Sequence, residues 1–192
     1  MLEQIKKLRE KTGAGVVEVK KALEEAGGNE EKAIEILRKR GREKAIKKSE
    51  RSTQEGLVVS YIHSNKKVGT ILKLYCESDF VAKNDEFRQL AMDIAMHITA
   101  INSEYLRPED VPAEIISKEK EIWTENLKNE GKPEAMMEKI LEGKEKKFRE
   151  EHSLLTQAFV KNPEQTVGEL IAEKIGKIGE NIQVGRFCRY EI

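Results

Sequence analysis

Apolar residues recur at helical spacing between positions 87 and 101, and this stripe constrains the fold more than any other feature of the sequence. They are Phe87, Leu90, Ala91, Ile94, Ala95, Ile98 and Ile101. Because intervals of three and four residues place them on one side of a helix, other apolar elements must cover that side. The segment therefore predicts a long core helix, capped at its start by Asn84 or Asp85.

The residues before this helix have the alternation that is typical of β-strands. Residues 56–77 contain two runs rich in β-branched and aromatic side chains, separated by a short polar turn. This pattern predicts an antiparallel hairpin with Leu72, Leu74 and Cys76 toward one face. Residues 181–190 alternate in the same way, so we expect a third strand there.

The N-terminal residues 1–41 have a different character. They contain three short amphipathic stretches separated by glycine-containing turns, which predicts a small three-helix bundle. Asn29 is a good N-cap for the third helix, and Gly41 is expected to end it. A bundle of about 40 residues has a thin core and is marginal by itself.

A basic segment follows the bundle. Residues 38–51 contain eight Lys or Arg and two acidic residues, and we assign residues 42–55 to a linker. A solvated connector is the interpretation we favour, and a nucleic-acid-binding patch is the alternative. The segment lacks aromatic side chains for base stacking, and the chain has no basic excess elsewhere, since 35 basic and 35 acidic residues cancel.

The second half of the chain predicts further helices. Residues 113–150 form two charged, sparsely apolar helical segments, and Pro133 suits the first position of the second, so we expect a helical hairpin. Residues 154–160 fit a short strand or a connecting helix equally well. A capping-box pattern opens a helix over residues 166–179. Residues 56–192 are therefore predicted to form an α+β core on a small antiparallel sheet.

Sequence motifs of catalysis are missing. There is no phosphate-binding glycine loop, no Cys-x-x-Cys and no His-Glu-x-x-His, and His63, His97 and His152 are scattered. Cys76 and Cys188 fall on predicted strands as core or interface residues. We therefore expect a partner-binding protein with no catalytic residues and no metal site. A hydrolase assembled only in three dimensions is the least favoured alternative.

The location of the protein follows from what its sequence does not contain. Apolar runs are only a few residues long, so we expect no membrane span. The first residues are charged and have no apolar stretch typical of a secretory signal. With only two cysteines, the chain is expected to be cytoplasmic.

One segment, between a strand end and a helix start, allows two interpretations. It comprises Ser78, Asp79, Phe80 and Val81. In the first, which composition favours, Phe80 or Val81 packs on the following helix as a hydrophobic staple and Asp79 caps a turn. In the second, Phe80 is an exposed anchor for a partner's pocket, and Asp79 places a negative charge beside a cationic or metal-bearing site there.

Three motifs, in order along the chain, resemble the bacterial translation elongation factor Ts family. They are LREKTGAGVVEVKKAL at residues 8–23, CESDFVAKN at 76–84, and GENI at 179–182 leading into Arg186-Phe187. The resemblance implies a ubiquitin-associated-like N-terminal bundle and an α+β core with a protruding helical hairpin. Only one strand–strand–Asp-Phe-Val–helix unit is present, which resembles short family members that form homodimers and a two-plus-two complex with their partner.

The resemblance also implies a function, that of a guanine nucleotide exchange factor for elongation factor Tu. Residues 78–81 would approach the Mg²⁺ and switch region of that partner, with Phe80 as a wedge and Asp79 perturbing the water shell of the metal. A second contact would come from the bundle, through Val16, Val17, Lys20 and Leu23. No cofactor and no direct contact with nucleic acid are expected.

Overall fold

The computed structural model of the protein describes residues 2–192, apart from the side chain of Glu10; Met1, the first residue of the predicted bundle, lies outside the described residues. The N-terminal part consists of the helices α1 (Leu2–Thr12), α2 (Val16–Glu25) and α3 (Glu30–Lys48). They enclose a small apolar core of Ile5, Leu8, Val19, Ala22, Leu23, Ala33 and Leu37. Asn29 caps α3 as predicted, since its side-chain oxygen accepts a hydrogen bond from the backbone N–H of Lys32 at 3.0 Å.

Helix α3 is longer than the sequence predicts. Gly41 does not end it, and residues 42–48, which the sequence assigns to the linker, belong to its C-terminal part. Glycine inside a helix costs about 1 kcal/mol relative to alanine. Ion pairs from Arg40 and Lys44 to carboxylates of α2 lie on either side of Gly41 and help to hold the helix there.

The predicted sheet is present and antiparallel. Its strands are β1 (Glu55–Ile62), β2 (Val68–Cys76) and, near the C-terminus, β5 (Gln183–Glu191), in the order β1-β2-β5. Leu72, Leu74 and Cys76 alternate along β2 and are fully buried, as the sequence indicates. The buried side chains of the central strand, β2, therefore form an apolar surface on which helices can pack.

Two helices of unequal length follow the hairpin. The first is a single turn, α4 (Asp79–Ala82), and the second is α5 (Asp85–Ile101), whose apolar stripe is buried from Phe87 to Ile98. Asn84 caps α5 by accepting the N–H of Glu86 at 2.7 Å. A later helix, α8 (Val167–Ile178), ends at Gly179, where a φ of 92° suits glycine.

By its internal contacts the chain divides into two units, one that extends to Thr99 and includes Gly168–Ile192, and one formed by Ala100–Val167. The second unit contains the predicted helical hairpin, α6 (Ala113–Asn129) and α7 (Glu134–His152), in which the rings of Trp123 and Phe148 meet edge-on at 5.8 Å. Residues 154–160 form a 3-10 turn and the strand β3 (Ala158–Phe159), which pairs with β4 (Asn162–Thr166). The α+β prediction is confirmed.

Candidate functional site

The segment after β2 places an aromatic side chain in solvent. Ser78 is the N-cap of α4, with an extended backbone, and its Oγ accepts a hydrogen bond from the N–H of Val81 at 3.4 Å. Phe80 is 83% exposed on this turn, whereas Val81 is half-buried. The staple interpretation is therefore wrong for Phe80. Below, the four residues Ser78, Asp79, Phe80 and Val81 are called the tip.

Asp79 supplies a negative charge beside the exposed ring. Its carboxylate accepts a hydrogen bond from Lys83 Nζ at 2.8 Å. This hydrogen bond is the main reason that the pKa of Asp79 lies below its ordinary value, so the carboxylate is ionised at neutral pH. The tip thus offers an anion and an apolar ring side by side, which fits a partner surface where a cation lies near an apolar pocket.

A carboxylate from a distant part of the chain supports the tip. Glu180 Oε2 accepts hydrogen bonds from the backbone N–H groups of Glu77 and Ser78 at 3.1 and 3.0 Å, and its Oε1 accepts one from the Ser78 hydroxyl at 2.6 Å. These N–H groups lie just beyond β2, outside its strand pairing, and the carboxylate satisfies them. Sequence reasoning placed Glu180 in the GENI motif but gave it no role, because a contact that spans 102 residues cannot be inferred from local sequence.

The start of α2 forms a second exposed surface. Val16 and Val17 lie in its first turn and are 47% and 65% exposed. Lys20 lies one turn further along, also exposed, with its Nζ 3.8 Å from the carboxylate of Glu24. Leu23 differs, because it is 4% exposed and belongs to the core of the bundle. Three of the four predicted docking residues are therefore at the surface, and Leu23 is part of the apolar core of the same bundle.

The basic segment 38–51 is engaged within the protein. Five of its cations have acidic or carbonyl partners: Arg40 with Glu25, Arg42 with Glu169, Lys44 with Glu18, Lys48 with the Gly179 carbonyl, and Arg51 with Glu77. Residues 38–51 are exposed or half-buried throughout, so the favoured interpretation of a solvated connector is not contradicted. The segment is largely helical, and its charges tie α3 to α2 and to residues near both ends of α8.

One face of the three-stranded sheet carries exposed apolar side chains. The largest, each between 49% and 69% exposed, are Val58, Ile62, Ile71 and Tyr190. The strand register places Ile71 directly opposite Cys188, an exposed free thiol. The water-facing side of an antiparallel sheet is normally polar, so this face has the composition of a surface that another protein covers.

The buried free cysteine, Cys76, lies at the end of β2. Burial raises the pKa of Cys76 to about 11, so its thiol is not a nucleophile at neutral pH. Among the described side chains of residues 2–192, no three His, Cys, Asp or Glu side chains are grouped to hold a metal ion. Within that same range, every helix is too short or too polar to cross a membrane.

Comparison with known proteins agrees with the motifs. The sequence model of a family described as Elongation factor TS matches residues 2–192. The chain belongs to the elongation factor Ts family. Members of this family are translation elongation factors, so the chain is a component of protein biosynthesis.

Similar proteins extend over nearly the whole chain. Elongation factor Ts of Thermosipho melanesiensis is 54% identical over 188 residues, which cover 98% of this chain and 96% of the relative. Elongation factor Ts of Thermodesulfovibrio yellowstonii is 54% identical over 190 residues, covering 99% and 94%. The protein of the same name from Fervidobacterium nodosum is 52% identical over 190 residues, covering 99% and 96%. The family resemblance found in three motifs is thereby confirmed.

Proposed function

We propose that the chain is a guanine nucleotide exchange factor for elongation factor Tu, which promotes GDP release so that GTP can bind. Family membership supports this proposal, and the observation that carries it is the tip, where Phe80 is 83% exposed beside an ionised Asp79. An aromatic side chain that is already held on a fixed turn loses little freedom on binding. This function belongs to the cytoplasm, where translation elongation takes place.

In the proposed complex the tip approaches the Mg²⁺ and the switch region of the partner. Phe80 acts as a wedge, and Asp79 perturbs the water shell of the metal. Without Mg²⁺ the charge on the β-phosphate of GDP is poorly neutralised, so the nucleotide leaves faster. The chain itself makes or breaks no covalent bond and needs no cofactor, and nucleic acid is not a direct partner, since much of its basic segment is engaged internally.

Thermodynamics requires more contacts than the tip alone. An exchange factor must bind the nucleotide-free partner more tightly, and by linkage each ligand weakens the other by the same factor. A shift on the order of 10⁴ needs about 5.5 kcal/mol of differential binding. Burying one phenylalanine contributes about 1.5–3 kcal/mol. The exposed Val16 and Val17 surface of α2 is therefore proposed to dock on the partner as well.

We also propose that the exposed apolar face of the sheet pairs with a second copy, giving a homodimer and a two-plus-two complex. Ile71 lies at the centre of this face, on the middle strand. Ile71→Lys should convert a dimer into a monomer in sedimentation equilibrium, because a charge would be buried in the interface. Cys188→Ser tests whether a disulfide contributes, and a dimer that survives it is non-covalent. A wild-type chain that sediments as a monomer at micromolar concentration would contradict the dimer.

The exchange function is tested by stopped-flow release of a fluorescent GDP from elongation factor Tu. We expect the wild-type chain to accelerate release, and Phe80→Ala and Asp79→Ala each to reduce that acceleration more than they weaken complex formation. Ile46→Ala is a matched control, because Ile46 is also an exposed apolar side chain, 70% exposed on α3, and is not one of the tip residues. If both tip variants release GDP like the wild type, the wedge assignment is wrong.

A further inference from the structure

The tip is joined to a second chain segment by reciprocal hydrogen bonds. Besides the three bonds that Glu180 accepts from residues 77 and 78, the backbone N–H of Asn181 donates to Glu77 Oε1 at 2.6 Å. Each segment therefore supplies both a carboxylate and backbone N–H groups to the other. We call these four hydrogen bonds the clamp. Bonds to a carboxylate are stronger than those between neutral groups, so the clamp restrains the end of β2 from which the tip emerges.

The same segment holds the end of α3. The Asn181 side chain is almost fully buried, and its Nδ2 donates to the backbone carbonyls of Ser49 at 3.3 Å and Arg51 at 2.8 Å. A neighbouring bond runs from Lys48 Nζ to the carbonyl of Gly179. Two consecutive residues, Glu180 and Asn181, thus connect the tip on one side with the C-terminal end of α3 on the other.

Helix α3 is in turn joined by ion pairs to α2, whose first turn forms the exposed surface described above. Lys44 pairs with Glu18, and Arg40 pairs with Glu25, one near each end of α2. A continuous set of polar contacts therefore runs from the α2 surface, through α3 and Asn181, to Glu180 and the tip. The two surfaces assigned to partner binding are therefore connected through residues that belong to neither surface.

We propose that Glu180 and Asn181 are positioning residues, which fix the tip relative to the α2 surface so that both engage the partner in one binding event. The inference rests on the proposed exchange function. Two surfaces on one rigid body share a single loss of translational and rotational freedom, whereas a loosely attached tip must be ordered on each encounter. Loss of the clamp should therefore reduce nucleotide release while leaving the α2 surface able to bind.

The matched pair Glu180→Ala and Glu180→Gln tests the role of the side chain. Glutamine can still accept both N–H groups through its carbonyl oxygen and donate to the Ser78 hydroxyl, whereas alanine removes all three bonds. We expect Glu180→Ala to reduce the acceleration of fluorescent-GDP release about tenfold or more and Glu180→Gln to restore most of it. Glu43→Ala, which removes an exposed carboxylate from α3, should behave like the wild type.

Amide hydrogen exchange of the free protein gives an independent readout. In Glu180→Ala, the N–H groups of Glu77 and Ser78 should exchange about tenfold or more faster, while amides in the middle of α2 keep their protection. Asn181→Ala should speed the same two amides and lower the acceleration of release. If Asn181→Ala does not fold, Glu77→Ala replaces it, because this change removes the bond from the Asn181 N–H at the other end of the clamp and leaves the tip residues unchanged.

The outcomes separate this inference from the proposed function. Normal GDP release by a Glu180→Ala protein whose amides are deprotected, alongside slow release by Phe80→Ala, would overturn the positioning role and leave the exchange function standing. Unchanged protection of the Glu77 and Ser78 amides in Glu180→Ala would also overturn it. Normal release by Phe80→Ala, with deprotected amides in Glu180→Ala, would contradict the wedge role of Phe80. It would also contradict the positioning role of Glu180, because the tip that the clamp positions would then have no effect on release.

Discussion

Replacing Leu23 by alanine tests whether this residue docks on a partner or supports the surface that does. Leu23 is 4% exposed and packs in the bundle core with Leu8 and Val19. Leu→Ala changes at such sites cost about 2–5 kcal/mol, through lost burial and the cavity that remains. Because the three-helix core is small, we expect the loss to appear as local unfolding of α1–α3, with faster amide exchange along α2 in the full-length chain.

Val17→Ala is the matched comparison. Val17 is 65% exposed, so its truncation should barely change the stability of the free protein. The change removes two methyl groups, and each costs at most about 0.8 kcal/mol of binding free energy when it is lost from a contact. Scaling this sum by the exposed fraction of Val17 gives about 1 kcal/mol, or roughly a fivefold loss of affinity. Titration of nucleotide-free elongation factor Tu measures that loss, and circular dichroism with amide exchange measures stability.

The two variants should therefore differ in whether they lose stability or affinity. Leu23→Ala should lose protection in α2 and lose affinity only to the extent that the bundle is unfolded, so affinity should recover on cooling toward the temperature of maximum stability. Val17→Ala should lose affinity with unchanged protection at every temperature. A Leu23→Ala protein with wild-type protection and reduced affinity would refute the assignment of Leu23 to the core.

Three further changes test other parts of the structure. Gly56→Ala should destabilise the β1–β2 hairpin by about 1–3 kcal/mol, measured by thermal melting, because its φ is 151° and a Cβ would lie 2.2 Å from a backbone carbonyl oxygen of β2. The hydrogen bond from Lys44 holds the pKa of Glu18 below 4.5. The α2–α3 ion pair therefore stabilises the folded protein fully above pH 4.5, and this stabilisation is lost as the pH falls through the lowered pKa. Glu18→Gln should remove this acid-sensitive part of the melting temperature, and an unchanged pH profile would contradict the pair. Native Cys76 should resist iodoacetamide at pH 7 and react after denaturation, as mass spectrometry can show, since burial raises the pKa of its thiol to about 11.

Local periodicity was sufficient for the elements with regular apolar patterns. The stripe of α5 and the alternation of β1, β2 and β5 each identify one buried face, and each element was found at nearly its predicted bounds. Strand β4 has the sequence Asn-Pro-Glu-Gln-Thr, which shows no such alternation, so its pairing with β3 could not be predicted.

The end of α3 shows why local rules fail where tertiary contacts decide. Glycine is a common helix terminator, so Gly41 was a reasonable boundary. In the structure, Arg40 and Lys44 on either side of it pair with carboxylates of α2, and Arg42 pairs with Glu169. Single exposed pairs contribute little, but several along one helix can offset the roughly 1 kcal/mol that a helical glycine costs. The partners lie up to 127 residues away, beyond any local pattern.

The structure of the tip also depends on both local and distant contacts. The motif from Ser78 to Val81 could be identified from sequence, but its N-cap is Ser78 and not Asp79, to which the staple interpretation gave the capping role. The exposure of Phe80 could not, since a hydrophobic staple and an exposed anchor have the same local pattern. Glu180 restrains the strand end from which the tip emerges, because it accepts both N–H groups there. A side chain 102 positions away thus helps to hold the segment that carries the exposed ring of Phe80.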